Sequence, residues 1–227
     1  MVRLSIVIPT LNQAGEVRKS LSSLQRLRAQ HHEVIVVDGG SDDRTQELAR
    51  SLADYVIQSA RGRSRQMNAG AALASGEILI FLHADTQLPE GVDRYLSSVM
   101  VRSGRDWGRF DVRLSGSHRL FRLIEWLMNL RSRVTGIATG DQAIFIRRDL
   151  FSEIGGFPEI DLMEDIAISR ALKHHGPPLC LKACVVASSR RWEQYGIFRT
   201  VVKMWYLRMA YMLGADPSKL SQQYDRV

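Results

Sequence analysis

Three groups of acidic side chains in this sequence stand where chemistry could be done. Asp38 ends the apolar run Glu33-Val34-Ile35-Val36-Val37, and Asp85 follows the run Ile78-Leu79-Ile80-Phe81-Leu82 after His83-Ala84. Glu164-Asp165 come later, after Gly155-Gly156-Phe157-Pro158. Short aliphatic and β-branched runs predict buried parallel strands. Open α/β sheets bind ligands in the crevice outside the carboxyl ends of such strands. Carboxylates there suit a nucleotide and a divalent cation, because an ionised carboxylate accepts several hydrogen bonds and ligates hard metals. Gly39 and Gly40 would let backbone approach a ligand closely. Arg61, Arg63 and Arg65 form a cluster whose forked guanidinium groups suit phosphates. Each piece also has a plainer use. Asp38 could shape a tight turn, Asp85 or Thr86 could cap a helix, and Glu164-Asp165 could complement a helix dipole.

The elements that must position these groups follow from periodicity. Strands are predicted at Leu4–Ile8, closed by Pro9-Thr10-Leu11-Asn12, then at Glu33–Val37, Tyr55–Ile57 and Ile78–Leu82. Helices are predicted over 16–27, 44–53 and 62–76, the last rich in alanine and glycine and so able to pack closely. Another helix runs from Pro89-Gly91 through Met100. This βαβαβαβ order predicts an α/β fold, a Rossmann-like, mostly parallel sheet flanked by helices. After about residue 105 the pattern changes. Strands are expected at 107–113, 143–146 and 179–186, and helices at 119–130, 166–174 and 197–213. The chain therefore reads as a nucleotide-binding half, 1–105, and an acceptor-side half, 106–227, on one continuous sheet.

Composition narrows the function classes. With 227 residues and 45% hydrophobic content the chain can bury a substantial core, and the composition excludes disorder and collagen-like repeats. Net charge is +7 and the pI is near 9.8. That balance is compatible with nucleic acid, an anionic surface or a phosphate-bearing substrate. A single-stranded nucleic-acid platform needs aromatics among its cations, and 61–65 has none, so no nucleic-acid partner is expected. Cys180 and Cys184 sit in an apolar run and read as structural free thiols. The run at 4–8 is too short for a signal peptide and no window of ~18 apolar residues predicts a spanning helix. The expected location is cytoplasmic, with peripheral contact at the inner face of the membrane as an added use of the tail. The tail helix, 197–213, sets Arg199, Lys203 and Arg208 among Phe198, Met204, Trp205, Leu207 and Met212. Such a helix suits an interface plane; packing on the sheet, or on a second subunit in a homodimer, is the other reading.

Taken together, five motifs resemble the family-2 glycosyltransferases, which have the GT-A fold. They are Ile6–Asn12, Val36–Asp43, Asn68-Ala69-Gly70, Gly76-Glu77-Ile78 with Leu82–Asp85, and Gly155–Phe157 followed by Glu164-Asp165. The resemblance covers nearly the whole chain. It implies an inverting transfer from a nucleotide-diphosphate sugar, UDP-sugar first and GDP-sugar second, to a hydroxyl of a small, lipid-linked or carotenoid-like acceptor. It places Pro9, Thr10 and Asp38 at the nucleotide, Asp85 on Mn²⁺ or Mg²⁺, and Asp165 as the base. Arg63 and His83 join the nucleotide set; His83 stands where the family's Asp-x-Asp motif has its first aspartate. Processive members carry Gln-x-x-Arg-Trp; here Arg191-Trp192 remain and the Gln does not, which argues against polymer synthesis. Trp107–Val112, Trp126–Ser132 and Thr139–Ala143 resemble a compact bacterial subgroup labelled as associated with arsenosugar biosynthesis. In it Gly140, Asp141 and Gln142 belong at the donor sugar or acceptor, as do Glu164, Arg191 and Trp192. A sugar-nucleotide pyrophosphorylase is the enzyme alternative, disfavoured because no Gly-rich loop follows the first strand. A basic nucleic-acid-binding module is the non-enzyme alternative.

Overall fold

The computed structural model describes residues 2–225. Its first part comprises β1 (Leu4–Thr10), α1 (Ala14–Ser23), α2 (Gln25–Ala29), β2 (Glu33–Asp38), α3 (Thr45–Arg50), β3 (Tyr55–Gln58), α4 (Arg63–Leu73) and β4 (Ile78–Phe81). Next come β5 (Thr86–Gln87), α5 (Val92–Ser103), β6 (Trp107–Leu114), α6 (Arg119–Thr135), β7 (Ile144–Arg147), α7 (Arg148–Glu153), α8 (Glu164–Lys173) and β8 (Leu179–Ala187). Three helices close the chain: α9 (Arg190–Tyr195), α10 (Ile197–Met212) and α11 (Pro217–Asp225).

One sheet holds all the strands in the order β3-β2-β1-β4-β7-β6-β8-β5. The four strands β3, β2, β1 and β4 run parallel, β7 runs against both β4 and β6, and β6 pairs parallel with β8. Successive strand residues point to opposite faces, and the core follows that rule. Ile6, Ile8, Val34, Val36, Ile78 and Ile80 pack on one side of the sheet. Val7, Ile35, Val37, Leu79 and Phe81 pack on the other, beneath α4. The approach of α4 is close enough that a side chain at Gly70 would collide with Val7 and Val37.

The main strands and helices fall where periodicity places them. The predicted helix over 16–27 is split into α1 and α2 at Leu24. The short pieces β5, α7, α9 and a 3-10 turn at Gly140–Gln142 are too brief for a periodic signal. The tail beyond 213 adds α11, which the sequence reading did not anticipate.

Asp38 ends β2 with no exposed surface. Its carboxylate accepts from Gly40 N–H (2.9 Å), Ser41 N–H (2.7 Å), Ser41 Oγ (2.5 Å), Gln46 Nε2 (2.8 Å) and Thr10 Oγ1 (3.3 Å). Burial would raise this carboxyl, but the hydrogen bonds outweigh it and hold it below the ordinary value. The group thus builds the turn that joins β2 to α3. Asp38→Ala would leave several donors unpaired, and a buried unsatisfied donor costs about 1–3 kcal/mol. The expected result is a fold destabilised by about 2–4 kcal/mol in urea denaturation. An unchanged midpoint would show that the turn does not need the carboxylate.

Candidate active site

A cleft of about 560 Å³ opens at the carboxyl ends of β1 and β4. Its floor is the loop Pro9-Thr10-Leu11 with Gln13, and the segment His83-Ala84-Asp85 that follows β4. Arg61, Gly62 and Arg63 line it at the start of α4, and Asp141 enters from the 3-10 turn. The roof comes from the C-terminal helices: Arg191 and Trp192 of α9, Thr200 and Met204 of α10, Ser221 and Tyr224 of α11. This is the crevice expected at strand carboxyl ends in an open α/β sheet.

The cleft gathers Pro9, Thr10, Arg63, His83, Asp85, Asp141, Arg191 and Trp192 from the sequence expectation. Five other expected residues are not among those that line it. Asp38 is buried in its turn, as described above. Gln142 is fully buried and donates to Asn129 Oδ1 (3.3 Å). Glu164 is buried, and Asp165 sits beside it at the start of α8. Gly140 forms the back of the turn, where a side chain would collide with the His83 ring.

The turn at 139–142 is held from several directions. Asp165 Oδ2 accepts from Gly140 N–H at 3.0 Å, while its Oδ1 accepts from Ile166 N–H at 2.7 Å. Thr139 and Gln142 form a capping box, with Gln142 Oε1 accepting from Thr139 N–H at 3.2 Å. His83 Nδ1 lies 3.4 Å from Asp141 Oδ1. So held, Asp141 projects into the cleft with its side chain 47% exposed. Lost hydration would raise its carboxyl; the His83 hydrogen bond and the charges of His83, Arg63 and Arg208 outweigh that and hold it below the ordinary range. Glu164 moves the other way. Burial, then the neighbouring Asp165 charge, pushes its carboxyl up.

The segments 107–112, 126–132 and 139–143 contribute residues to one buried network. Arg109, fully buried on β6, donates to Ser132 Oγ (3.0 Å) and Asn129 O (3.1 Å) and pairs with Asp111. Asn129 in turn accepts from Val112 N–H (2.9 Å) and donates to Val112 O (3.1 Å). These residues clamp α6 onto β6 and, through Gln142, support the turn that carries Asp141.

Cations line the opposite wall. Lost hydration would lower Arg63, but Tyr224, Glu164 and Asp141 outweigh it and hold the guanidinium above its ordinary value. The Arg191 guanidinium stacks 3.7 Å from the Tyr224 ring centroid, and its Nη2 donates to Tyr224 O at 3.3 Å. Lys203 Nζ donates to the same carbonyl at 3.1 Å. Sequence reasoning missed Tyr224 because nothing periodic marks the tail; only folding brings it 161 positions back to Arg63. Among the described residues no cluster of three or more His, Cys, Asp or Glu is arranged for a metal ion. Asp85 is exposed at the cleft floor and touches Thr86 Oγ1 at 3.3 Å. It fits a divalent ion held by one carboxylate, substrate phosphates and water, the usual way Mg²⁺ is bound.

Comparison with known proteins matches this fold. The family described as "Glycosyl transferase family 2" matches residues 5–154. A "PGL/p-HBAD biosynthesis glycosyltransferase" of Mycobacterium tuberculosis is 32% identical over 169 residues, covering 67% of this chain. The chain spans 62% of that relative's length. Staphylococcus aureus TarS 1-349 in complex with UDP-GlcNAc superposes with a TM-score of 0.68 at 20% identity, covering 82% of this chain and 58% of that one. The mannosyltransferase PcManGT from Pyrobaculum calidifontis, in complex with GDP-Man and Mn2+, superposes with a TM-score of 0.66 at 22% identity, covering 97% and 67%. Both share the GT-A fold seen here.

The two aspartates around the turn should separate in a stability measurement. Asp165→Ala leaves Gly140 N–H unpaired and is expected to cost about 1–3 kcal/mol. Asp141→Ala removes a cleft-facing group and should change stability by less than about 0.5 kcal/mol. Equal losses in urea denaturation would mean that Asp165 does not hold the turn.

Proposed function

The chain belongs to glycosyl transferase family 2, and from that premise we propose that it moves a sugar from a nucleotide-diphosphate sugar to an acceptor hydroxyl with inversion. One observation carries this reading: a single cleft brings together Thr10, Arg63, Asp85, Asp141 and Arg191. The nucleoside end of the donor fits against Pro9-Thr10 and Gln13. The diphosphate fits between Arg63 and Arg191, whose fixed guanidinium forks match phosphate oxygens. UDP-sugar is the first donor to test and GDP-sugar the second.

Asp85 would hold a Mn²⁺ or Mg²⁺ ion, which neutralises the leaving diphosphate when bound. Arg63 and Arg191 add positive charge on the same side, where negative charge grows as the glycosidic bond breaks. Inversion needs a base on the opposite face of the sugar, placed to take the acceptor proton. The sequence reading gives that role to Asp165. Both Asp165 oxygens already accept backbone N–H groups, so the geometry supports a different division of labour. Asp165 positions the turn, and Asp141, which faces the cleft, takes the proton. The depressed Asp141 carboxyl keeps that group ionised at neutral pH, as a base must be.

The acceptor is small or amphiphilic. The likeness to the subgroup labelled for arsenosugar biosynthesis supports only this general class, since its shared segments serve the buried network behind the turn.

Thermal denaturation tests the donor site. UDP or GDP with Mn²⁺ should raise the melting temperature, because a ligand that binds only the native state stabilises it by about 2.7 kcal/mol at a hundred times Kd. Asp85→Asn should lose the metal-dependent part of that shift. No shift with any nucleoside diphosphate would end the glycosyltransferase reading. Kinetics test the base: Asp141→Asn should keep donor binding and lose roughly 10²–10⁴-fold in transfer, measured on a panel of sugar, phenol and long-chain alcohol acceptors. A smaller loss than in Asp165→Asn would return the role to Asp165.

A further inference from the structure

Two helices beside the cleft carry apolar stripes on the outside of the protein. Along α10 and its C-terminal cap, Phe198, Val202, Trp205, Met209, Met212 and Leu213 recur at helical spacing, and all are exposed. On α6, Leu123, Trp126, Leu127, Leu130 and Val134 do the same. Trp126 is 59% exposed and Trp205 63%, so neither ring serves the core. Soluble monomers rarely leave apolar patches this extended open to water.

The C-terminal end of α6 comes near α10. Ile137, just past α6, packs in the cluster that holds Leu207 of α10. Arg131 of α6 and Arg208 of α10 repel one another there. Burial first, then Arg208, lowers the Arg131 guanidinium to about 10. Its Nε and Nη2 are buried with no hydrogen-bond partner, and the charges of Asp165 and Asp141 offset part of that lowering.

Charge selects what covers the stripes. The two helices carry seven cations, of which Arg131 buries its Nε and Nη2, Arg122 and Arg133 pair with Glu125 and Asp111, and Lys203 donates to Tyr224 O; beside the stripes Arg119 and Arg199 are exposed and Arg208 is half-buried. Their one acid, Glu125, is buried, where it accepts from Leu114 N–H at 2.6 Å and pairs with Arg122 at 2.9 Å. A two-fold dimer through this face would set the surface against itself, cation facing cation. An anionic surface complements it instead. Among the described residues no helix is long and apolar enough to cross a membrane, so the stripes suit an interface rather than a span.

We infer that α6 and α10 together dock the protein on an anionic bilayer, with their apolar stripes in the interfacial plane and Arg119, Arg199 and Arg208 at the headgroups. Thr200 and Met204, also on α10, line the cleft. These two residues lie on the face of α10 opposite its apolar stripe, so a docked protein holds the cleft one helix diameter, about 10 Å, from the interfacial plane. Resting on the glycosyltransferase reading, this assigns the acceptor hydroxyl to an amphiphile held in that plane.

Sedimentation of the full chain with vesicles tests the surface, in the absence of any nucleotide. Mixed phosphatidylcholine and phosphatidylglycerol vesicles should pellet the protein at low salt; phosphatidylcholine alone, or high salt, should release most of it. The double variant Trp126→Ser with Trp205→Ser, whose exposed sites leave the melting temperature unchanged, should partition roughly tenfold more weakly. Brominated acyl chains should quench tryptophan fluorescence, and Trp126→Phe and Trp205→Phe should each remove part of that quenching. Protein that stays in the supernatant with anionic vesicles overturns the inference. So does quenching that only one of the two Phe variants reduces, because the surface would then not span both helices. A solution dimer that the double variant dissociates, without vesicle binding, assigns the stripes to a second copy. Nucleotide binding is measured without vesicles, so failure of either reading leaves the other standing.

Discussion

The hydrogen bond from Gly140 N–H to the Asp165 carboxylate ties the site to the scaffold. It joins the start of α8 to a three-residue turn that no sheet ladder supports. Without that anchor the turn would rest on its own capping box and on Gln142. With it, His83 and Asp141 are held 3.4 Å apart at the mouth of the cleft. Gly140 is required at the back of the turn because the His83 ring occupies the space of a side chain. The buried Arg109–Asn129–Gln142 network repeats the pattern from the other side. Buried polar networks of this kind are costly when half satisfied and rigid when complete, and here they fix a small loop that must not wander.

Backbone conformation points to the same place. Among the described residues the non-glycine positions with positive φ are Asn12, His31, Ala143 and Met163. Asn12 follows the cleft loop at Pro9-Thr10-Leu11, Ala143 ends the turn that carries Asp141, and Met163 precedes Glu164. The left-handed region disfavours side chains with a Cβ, so such residues persist only where surrounding contacts over-determine them. Three of the four border the cleft or the turn beside it.

Electrostatics divides the cleft into two sides. Asp85 and Asp141 bring negative charge from the sheet side, and Arg63 and Arg191 bring positive charge from α4 and the C-terminal helices. Tyr224 stacks on Arg191 and helps to hold the Arg63 guanidinium above its ordinary value. A strongly basic chain also draws anionic ligands toward such a cleft before contact is made.

Much of this was legible in sequence because it depends on local pattern. Apolar runs gave the strands, their alternation put Ile6 and Val7 on opposite faces, and Asp85 lies just past β4 because a strand end is a local event. The split at Leu24, the short helices α7, α9 and α11, and the turn at 140–142 were not legible, since elements of one or two turns carry no periodic signal. Residue roles were the least legible. Asp38 and Asp85 both follow apolar runs, yet one bonds within its own turn and the other faces the cleft. Glu164, Asp165 and Asp141 are equally acidic as letters. Which carboxylate is buried, which accepts a distant N–H and which meets the cleft depends on contacts between residues 25 or more positions apart. The sequence by itself determined the strands, the family and the list of candidate groups; only tertiary packing decided their division into anchors and cleft-facing groups, because burial and hydrogen-bond partnership are properties of the assembled fold.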